Sequence, residues 1–205
     1  RQGGAKGACG SRGNQRLMSG FRVVLDTCSL VPIAQADLLL TLAGRGLYHP
    51  LWSDAVIGEL QYAILLANEL MTPERVARRL DAMNNAFEDA LVTGWEPLED
   101  RITGMADDND RHIVAAAIQG NAEAIVTVNV RDFPNQALEP WGLHAISTSD
   151  FLLDLLDLSQ GAVIGALIIS RLWHALPGRS AHSPSATSPR PRYSLRSTLA
   201  PEAES

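Results

Sequence analysis

Carboxylates gather at a few points along the chain, and their spacing suits a site for a divalent cation. Asp107, Asp108 and Asp110 fall within ADDNDRHIVAAA (106–117), directly before an apolar stretch of helical character. Asp26 closes the short β-branched run RVVLD, Glu59 stands in SDAVIGEL, and Asn129 and Asp132 follow AIVTV. Clustered carboxylates repel and raise one another's pKa. A helix N-terminus offsets only about 0.3–1 kcal/mol per exposed acid, and a divalent cation offsets far more. Mg2+ prefers oxygen ligands and keeps several waters, so one or two direct carboxylates suffice. Such an ion can activate a water and neutralise charge on a phosphodiester, with no need of a His or Ser nucleophile. Taken singly, each acid has an ordinary explanation. Asp107 or Asp108 could cap a helix, Asp26 could end a strand in a turn, Glu59 could face water, and Asp132 could form the turn in RDFP. His112 reads as a helix residue rather than a ligand. The functional case rests on joint placement.

That placement comes from the elements. Arg22–Asp26 reads as a short buried strand, and Gln35–Leu42 begins an amphipathic helix stopped by Gly44 and Gly46. Tyr48–Trp52 is a strand, and Ser53 caps a helix running to about Asn68. Thr72-Pro73-Glu74 starts another helix, with a cap, a proline and an acid, running to about Asp89. Ala90–Thr93 is a strand. Asp110–Gln119 is a helix with Gly120 as its stop. Ala124–Val128 and Leu143–Ile146 are strands. Thr148 caps a last helical region, in which FLLDLLDL puts leucines on one face and Asp150, Asp154 and Asp157 on the other. The alternation predicts an α/β fold, a parallel sheet flanked by helices. In such sheets ligands bind at the carboxyl ends of the strands, where the following helices begin. Asp26, the 107–110 acids and the Asn129/Asp132 pair all fall on that edge. Glu59 lies within about 9 Å of its helix start, at 1.5 Å rise per residue. Thr27, Ser29 and Thr127 border the same strand ends as outer-shell candidates, though Thr27 and Ser29 could equally cap backbone groups.

Composition limits the setting. At 205 residues and 46% hydrophobic, the chain suits a single domain with a real core. Its two cysteines, Cys9 and Cys28, sit far apart, which argues against a disulfide framework and fits a reducing cytosol. The apolar run 161–170 is too short for a bilayer, which needs roughly 20 residues, and no signal peptide is visible. Residues 18–176 hold 21 acidic against 9 basic residues, so a generic nucleic-acid binder is disfavoured and an acidic site is favoured. Residues 1–20 are Gly-rich and aperiodic, with Met18 read as the natural start. Residues 21–158 form the domain, and 159–176 a C-terminal helix ended by Pro177. The Ser/Pro/Arg-rich 177–205 reads as disordered.

The ordered motifs VVLDTCSLV, SDAVIGEL, DxxDRHIVAAA and IVTVNVRDFP resemble the PIN-domain nucleases, and within them the VapC-type toxins. The resemblance covers about residues 21–158. It implies a PIN-like fold whose acidic pocket binds Mg2+ or Mn2+. Asp26, Glu59 and Asp110 match the three core acids, with Asp26 and Asp110 as direct metal ligands. Many members carry Asp where this chain has Asn129, and Asp132 is expected to supply that charge through a water, completing the catalytic set. Asp107 is read as a cap and outer-shell group. Where this branch often has DPDD, this chain has DDND (107–110), which keeps the first and last acids. The Ser/Pro/Arg tail departs from the family, as a frameshifted or truncated reading frame would. The resemblance further implies a cytoplasmic endoribonuclease acting on RNA, a cognate antitoxin that lays an Arg or Lys among the acids, a homodimer, and no membrane. Arg111 and Arg131 are candidates for phosphate contact or for pairing with nearby Asp residues. Two other readings stand beside this one. A phosphatase with a strand-end Asp nucleophile needs a second acid where Cys28 stands. A non-catalytic binding module is suggested by Asn129 and the tail.

Overall fold

The computed structural model describes residues 21–68 and 70–175. The expected disorder of 1–20 and 177–205, the start at Met18 and the stop at Pro177 lie outside the described residues. Five parallel strands form one sheet: β1 (Arg22–Leu25), β2 (His49–Ser53), β3 (Leu91–Val92), β4 (Ala124–Thr127) and β5 (His144–Ser147). Their order is β3-β2-β1-β4-β5. The chain therefore steps outward from β1 to β3 on one side, then returns to build β4 and β5 on the other. The topological switch falls between β1 and β4, where an open parallel sheet leaves a crevice at its carboxyl edge.

The strand sequences fit this position. Val23, Val24 and Leu25 of β1 and Ala124, Ile125 and Val126 of β4 are wholly buried. Continuous apolar runs are what a parallel sheet covered on both faces requires. The helices are α1 (Thr27–Leu30), α2 (Ile33–Gly44), α3 (Asp54–Ala67), α4 (Pro73–Ala86), α5 (Glu96–Glu99), α6 (Arg111–Gln119), α7 (Asn135–Leu138), α8 (Thr148–Leu158) and α9 (Gln160–Ala175). Short 3-10 turns occupy Asp108–Asp110, Val130–Asp132 and Glu139–Trp141. The C-terminal helix expected over 159–176 is part of the packed body. Val163 and Ala166 of α9 are buried, and Arg45 Nη1 donates to Ala162 O at 2.7 Å, tying α9 to the end of α2.

Several local readings shift. Ser53 caps α3 as expected, its Oγ accepting from Val56 N at 3.2 Å. Thr72 precedes α4 but makes no side-chain cap bond, and that helix ends at Ala86, short of Asp89. Ser147, not Thr148, caps α8. Its Oγ accepts from Asp150 N at 3.0 Å and donates to Asp150 Oδ2 at 2.6 Å, which satisfies a free helix-end N–H and places an acid in the first turn. Thr148 instead turns inward to meet Ser29 Oγ at 2.9 Å. On α8, Asp150, Asp154 and Asp157 are exposed as the pattern required, but so are Leu153 and Leu158.

Gly120 ends α6 for want of space rather than by a left-handed turn. Its φ is −78°, and the left-handed residue is Asn121 at φ 49°. A Cβ on Gly120 would stand 2.8 Å from Leu51 Cδ1, 3.0 Å from Ala116 O and 3.1 Å from Val92 Cγ2. The glycine thus lets α6 lie close against β2 and β3, and that approach carries the start of α6 to the sheet edge. Gly120→Ala should destabilise the protein by about 1–3 kcal/mol through overpacking, read as a lower urea midpoint with an unchanged slope.

Candidate active site

Asp26 continues β1 by one bond, its N–H donating to Val126 O at 3.0 Å. The backbone then turns directly into α1. The Asp26 side chain is thereby held at the switch point, where the residue is only 3% exposed. Its Oδ2 accepts two hydrogen bonds, from Thr127 Oγ1 at 2.6 Å and from Cys28 Sγ at 2.8 Å. Thr127 is the last residue of β4 and is fully buried. Its Oγ1 in turn accepts from Asn129 N at 3.0 Å, so the turn after β4 orients the hydroxyl.

Asp110 sits at the start of α6, where the 3-10 turn Asp108–Asp110 feeds the helix, and is 8% exposed. Its side chain makes no cap hydrogen bond. The apolar residues that follow, Ile113 to Ala117, are buried and seat α6 against β1 and β4. The capping falls to Asp107, whose Oδ1 accepts from Asn109 N at 3.0 Å and from Asn109 Nδ2 at 2.9 Å. Asp108 is largely exposed and pairs with Arg111 at 2.5 Å. The overcharged helix start thus resolves into three jobs, and Arg111 is engaged by a neighbouring acid.

Glu59 lies in the second turn of α3, on the face towards α1. Its Oε2 accepts from Thr27 Oγ1 at 2.8 Å, linking the residue after Asp26 to Glu59. Its Oε1 faces His112 Nε2 at 3.5 Å. Ser29 lies deeper, donating to Val126 O at 3.1 Å, and serves the packing of α1 on β4 rather than the acids. Asn129 and Asp132 are half-buried on the turn after β4, with Asp132 N donating to Asn129 O at 3.0 Å. Arg131 beside them is exposed.

Two side chains gain importance that their spacing alone did not show. Cys28 accepts from Val128 N at 3.1 Å while donating to Asp26. Burial, then the charge of Asp26, pushes its pKa up to about 12, so it is a neutral thiol and no nucleophile at ordinary pH. His112 is buried at the foot of α6, its ring centroid 6.0 Å from that of Trp95. Burial lowers its pKa against the opposing pull of Glu99, Asp26 and Asp54. The only prior signal for either was its distance along the chain from an acid.

The carboxylates do not form a closed cage. Among the described residues, no three of His, Cys, Asp and Glu are gathered as a metal centre. The donor chemistry nevertheless fits a hard cation: carboxylate oxygens, two of them on nearly buried residues, at one sheet edge. A buried negative charge needs a partner, and an open oxygen site that keeps waters is the habit of Mg2+ rather than of a metal with a full protein cage. An apolar concavity lined by Phe21, Leu47, Ile146 and Phe151 lies at the amino ends of the strands and takes no part in this edge.

Comparison with known proteins agrees with this fold. The PIN domain family matches residues 22–131, just over half of the chain. The chain belongs to the PIN domain family. A stretch of 59 residues is 46% identical to the "Putative ribonuclease VapC50" of Mycobacterium tuberculosis, covering 29% of this chain and 35% of that protein. The chain thus spans about a third of the length of that curated relative. No solved structure matches. The PIN match takes in Asp26, Glu59, Asp110, Thr127 and Asn129 and stops one residue before Asp132.

His112 makes stability depend on pH. Its folded pKa lies below the ordinary 6.5, so near pH 6 the unfolded chain binds more protons than the folded one. The neutral ring therefore contributes fully above about pH 7, and stability is lost as pH falls through the unfolded value. The melting temperature should fall between about pH 7 and 5, and His112→Gln should flatten that decline.

Proposed function

We propose that this PIN-domain protein is a metal-dependent endoribonuclease, the toxin of a toxin–antitoxin pair, working in the cytoplasm. The observation that carries the reading is the pair of nearly buried carboxylates, Asp26 and Asp110, at the topological switch point. Asp26 and Asp110 would hold Mg2+ or Mn2+, with Glu59 as the third core acid and Asp132 acting through a water beside Asn129. When bound, such an ion activates a water for in-line attack on an RNA phosphodiester and neutralises developing charge.

The chain's own groups supply position. Thr127 and Cys28 fix the Asp26 carboxylate, Thr27 fixes Glu59, and Asp107 shapes the turn that presents Asp110. Arg131 is exposed on the turn after β4, suitably placed to meet a phosphate, whereas Arg111 is tied to Asp108. A cognate antitoxin would neutralise the acidic edge with a basic side chain, and a second copy of the chain is a further expected partner. Among the described residues no helix is long and apolar enough to cross a membrane. The phosphatase reading loses ground, because the place of its second acid holds a thiol that donates to Asp26. The binding-module reading retains one supporting observation, Asn129 in place of an acid.

Cleavage of RNA by the purified protein should require Mg2+ or Mn2+ and stop with a chelator. Asp26→Ala should lower the rate at least about 100-fold, the scale of losing a group that stabilises transition-state charge. Cleavage that survives Asp26→Ala refutes the mechanism. Absence of cleavage of any RNA by folded, metal-loaded wild type favours the binding module.

A further inference from the structure

We propose that Cys28 is a positioning residue for Asp26: with Thr127 it clamps Oδ2 of the carboxylate and so fixes the orientation in which the side chain meets the cation. This rests on the reading that Asp26 holds a divalent ion. Two donors from different elements converge on one oxygen. Thr127 reaches it from the end of β4 at 2.6 Å, and Cys28 from the first turn of α1 at 2.8 Å. Each donor is itself oriented by a backbone N–H of the turn after β4. Val128 N donates to Cys28 Sγ at 3.1 Å, and Asn129 N donates to Thr127 Oγ1 at 3.0 Å. An N–H pointed at the lone pairs of sulfur or oxygen turns the attached proton the other way, towards Asp26, and strengthens the chain of bonds.

The consequence is directional. An oxygen claimed by two protein donors is a poor metal ligand, so the clamp disfavours a two-oxygen grip on an ion by Asp26. That leaves coordination positions for waters, as Mg2+ prefers. The Thr127–Asp26 and Val128–Cys28 bonds tie the end of β4 to the turn after β1 across the crevice, so the carboxylate is set before the ion arrives. A side chain that merely fills space would be replaced adequately by alanine. A side chain that acts by donating a hydrogen bond is replaced by serine and not by alanine.

The test uses the full-length chain and Mn2+ alone, with affinity read from the rise in melting temperature. Cys28→Ala should weaken Mn2+ binding about tenfold, the scale for losing a group that orients a metal ligand, and Cys28→Ser should recover most of that loss. A second readout needs no metal. The S–H stretching band of Cys28, isolated by subtracting the Cys28→Ser spectrum, should move when Asp26→Asn weakens its acceptor. Mn2+ binding by Cys28→Ala equal to wild type overturns the clamp and leaves the metal reading standing. Failure of serine to rescue, or an S–H band indifferent to Asp26→Asn, overturns the clamp as well. Wild type that Mn2+ does not stabilise at all removes both readings.

Discussion

Asp26 and Asp110 are 3% and 8% exposed, yet both are acids, and both stand where an element begins or ends rather than within one. A carboxylate drawn out of water needs hydrogen bonds, an opposite charge or a proton. The surrounding architecture is shaped by that requirement. The Asp26 carboxylate takes a hydroxyl and a thiol, and the Glu59 carboxylate takes the hydroxyl of Thr27. Asp110 lies at the N-terminus of α6, where the peptide dipoles favour negative charge. These donors and peptide dipoles steady the three acids at one sheet edge.

The fold makes this arrangement possible by separating two tasks. The apolar runs Val23–Leu25 of β1 and Ala124–Val126 of β4 provide a rigid floor, since parallel strands buried on both faces pack only against helices. The polar groups appear one residue later, at Asp26 and Thr127, where the strands stop and the crevice opens. Gly120 contributes from a distance. Its missing side chain lets the end of α6 press close to Leu51 and Val92, so the helix bearing Asp110 lies tight on the sheet.

Much of this was legible in the sequence. Strand runs such as RVVL and AIVT are β-branched and bounded by polar residues, and the helices after Ser53 and Thr72 announce their starts. The reading placed Asp26 and Asp110 at element boundaries and Glu59 in the second turn of its helix, where the structure also puts them, and the job of capping fell to Asp107. What escaped depends on contacts between distant segments. Nothing in LDTCS says that the thiol will turn back to Asp26, because its orientation is set by Val128 in the turn after β4, distant in sequence. The inward turn of Thr148 towards Ser29 is equally tertiary, and it moved the cap of α8 to Ser147. Gly120 was legible as the helix stop, but not the need for its small size, which is fixed by side chains of β2 and β3. The single-turn pieces α5 and α7 are too short to leave a periodic signal.

The central claim is that the sheet edge holding Asp26 and Asp110 is a cation site. Counting free Mn2+ by its paramagnetic resonance signal, as the ion is titrated into the full-length protein, tests that claim most directly. The account predicts saturable binding by wild type and a loss of about 10- to 100-fold in affinity for Asp110→Asn, with the variant still folded by circular dichroism. Equal binding by wild type and Asp110→Asn would contradict it.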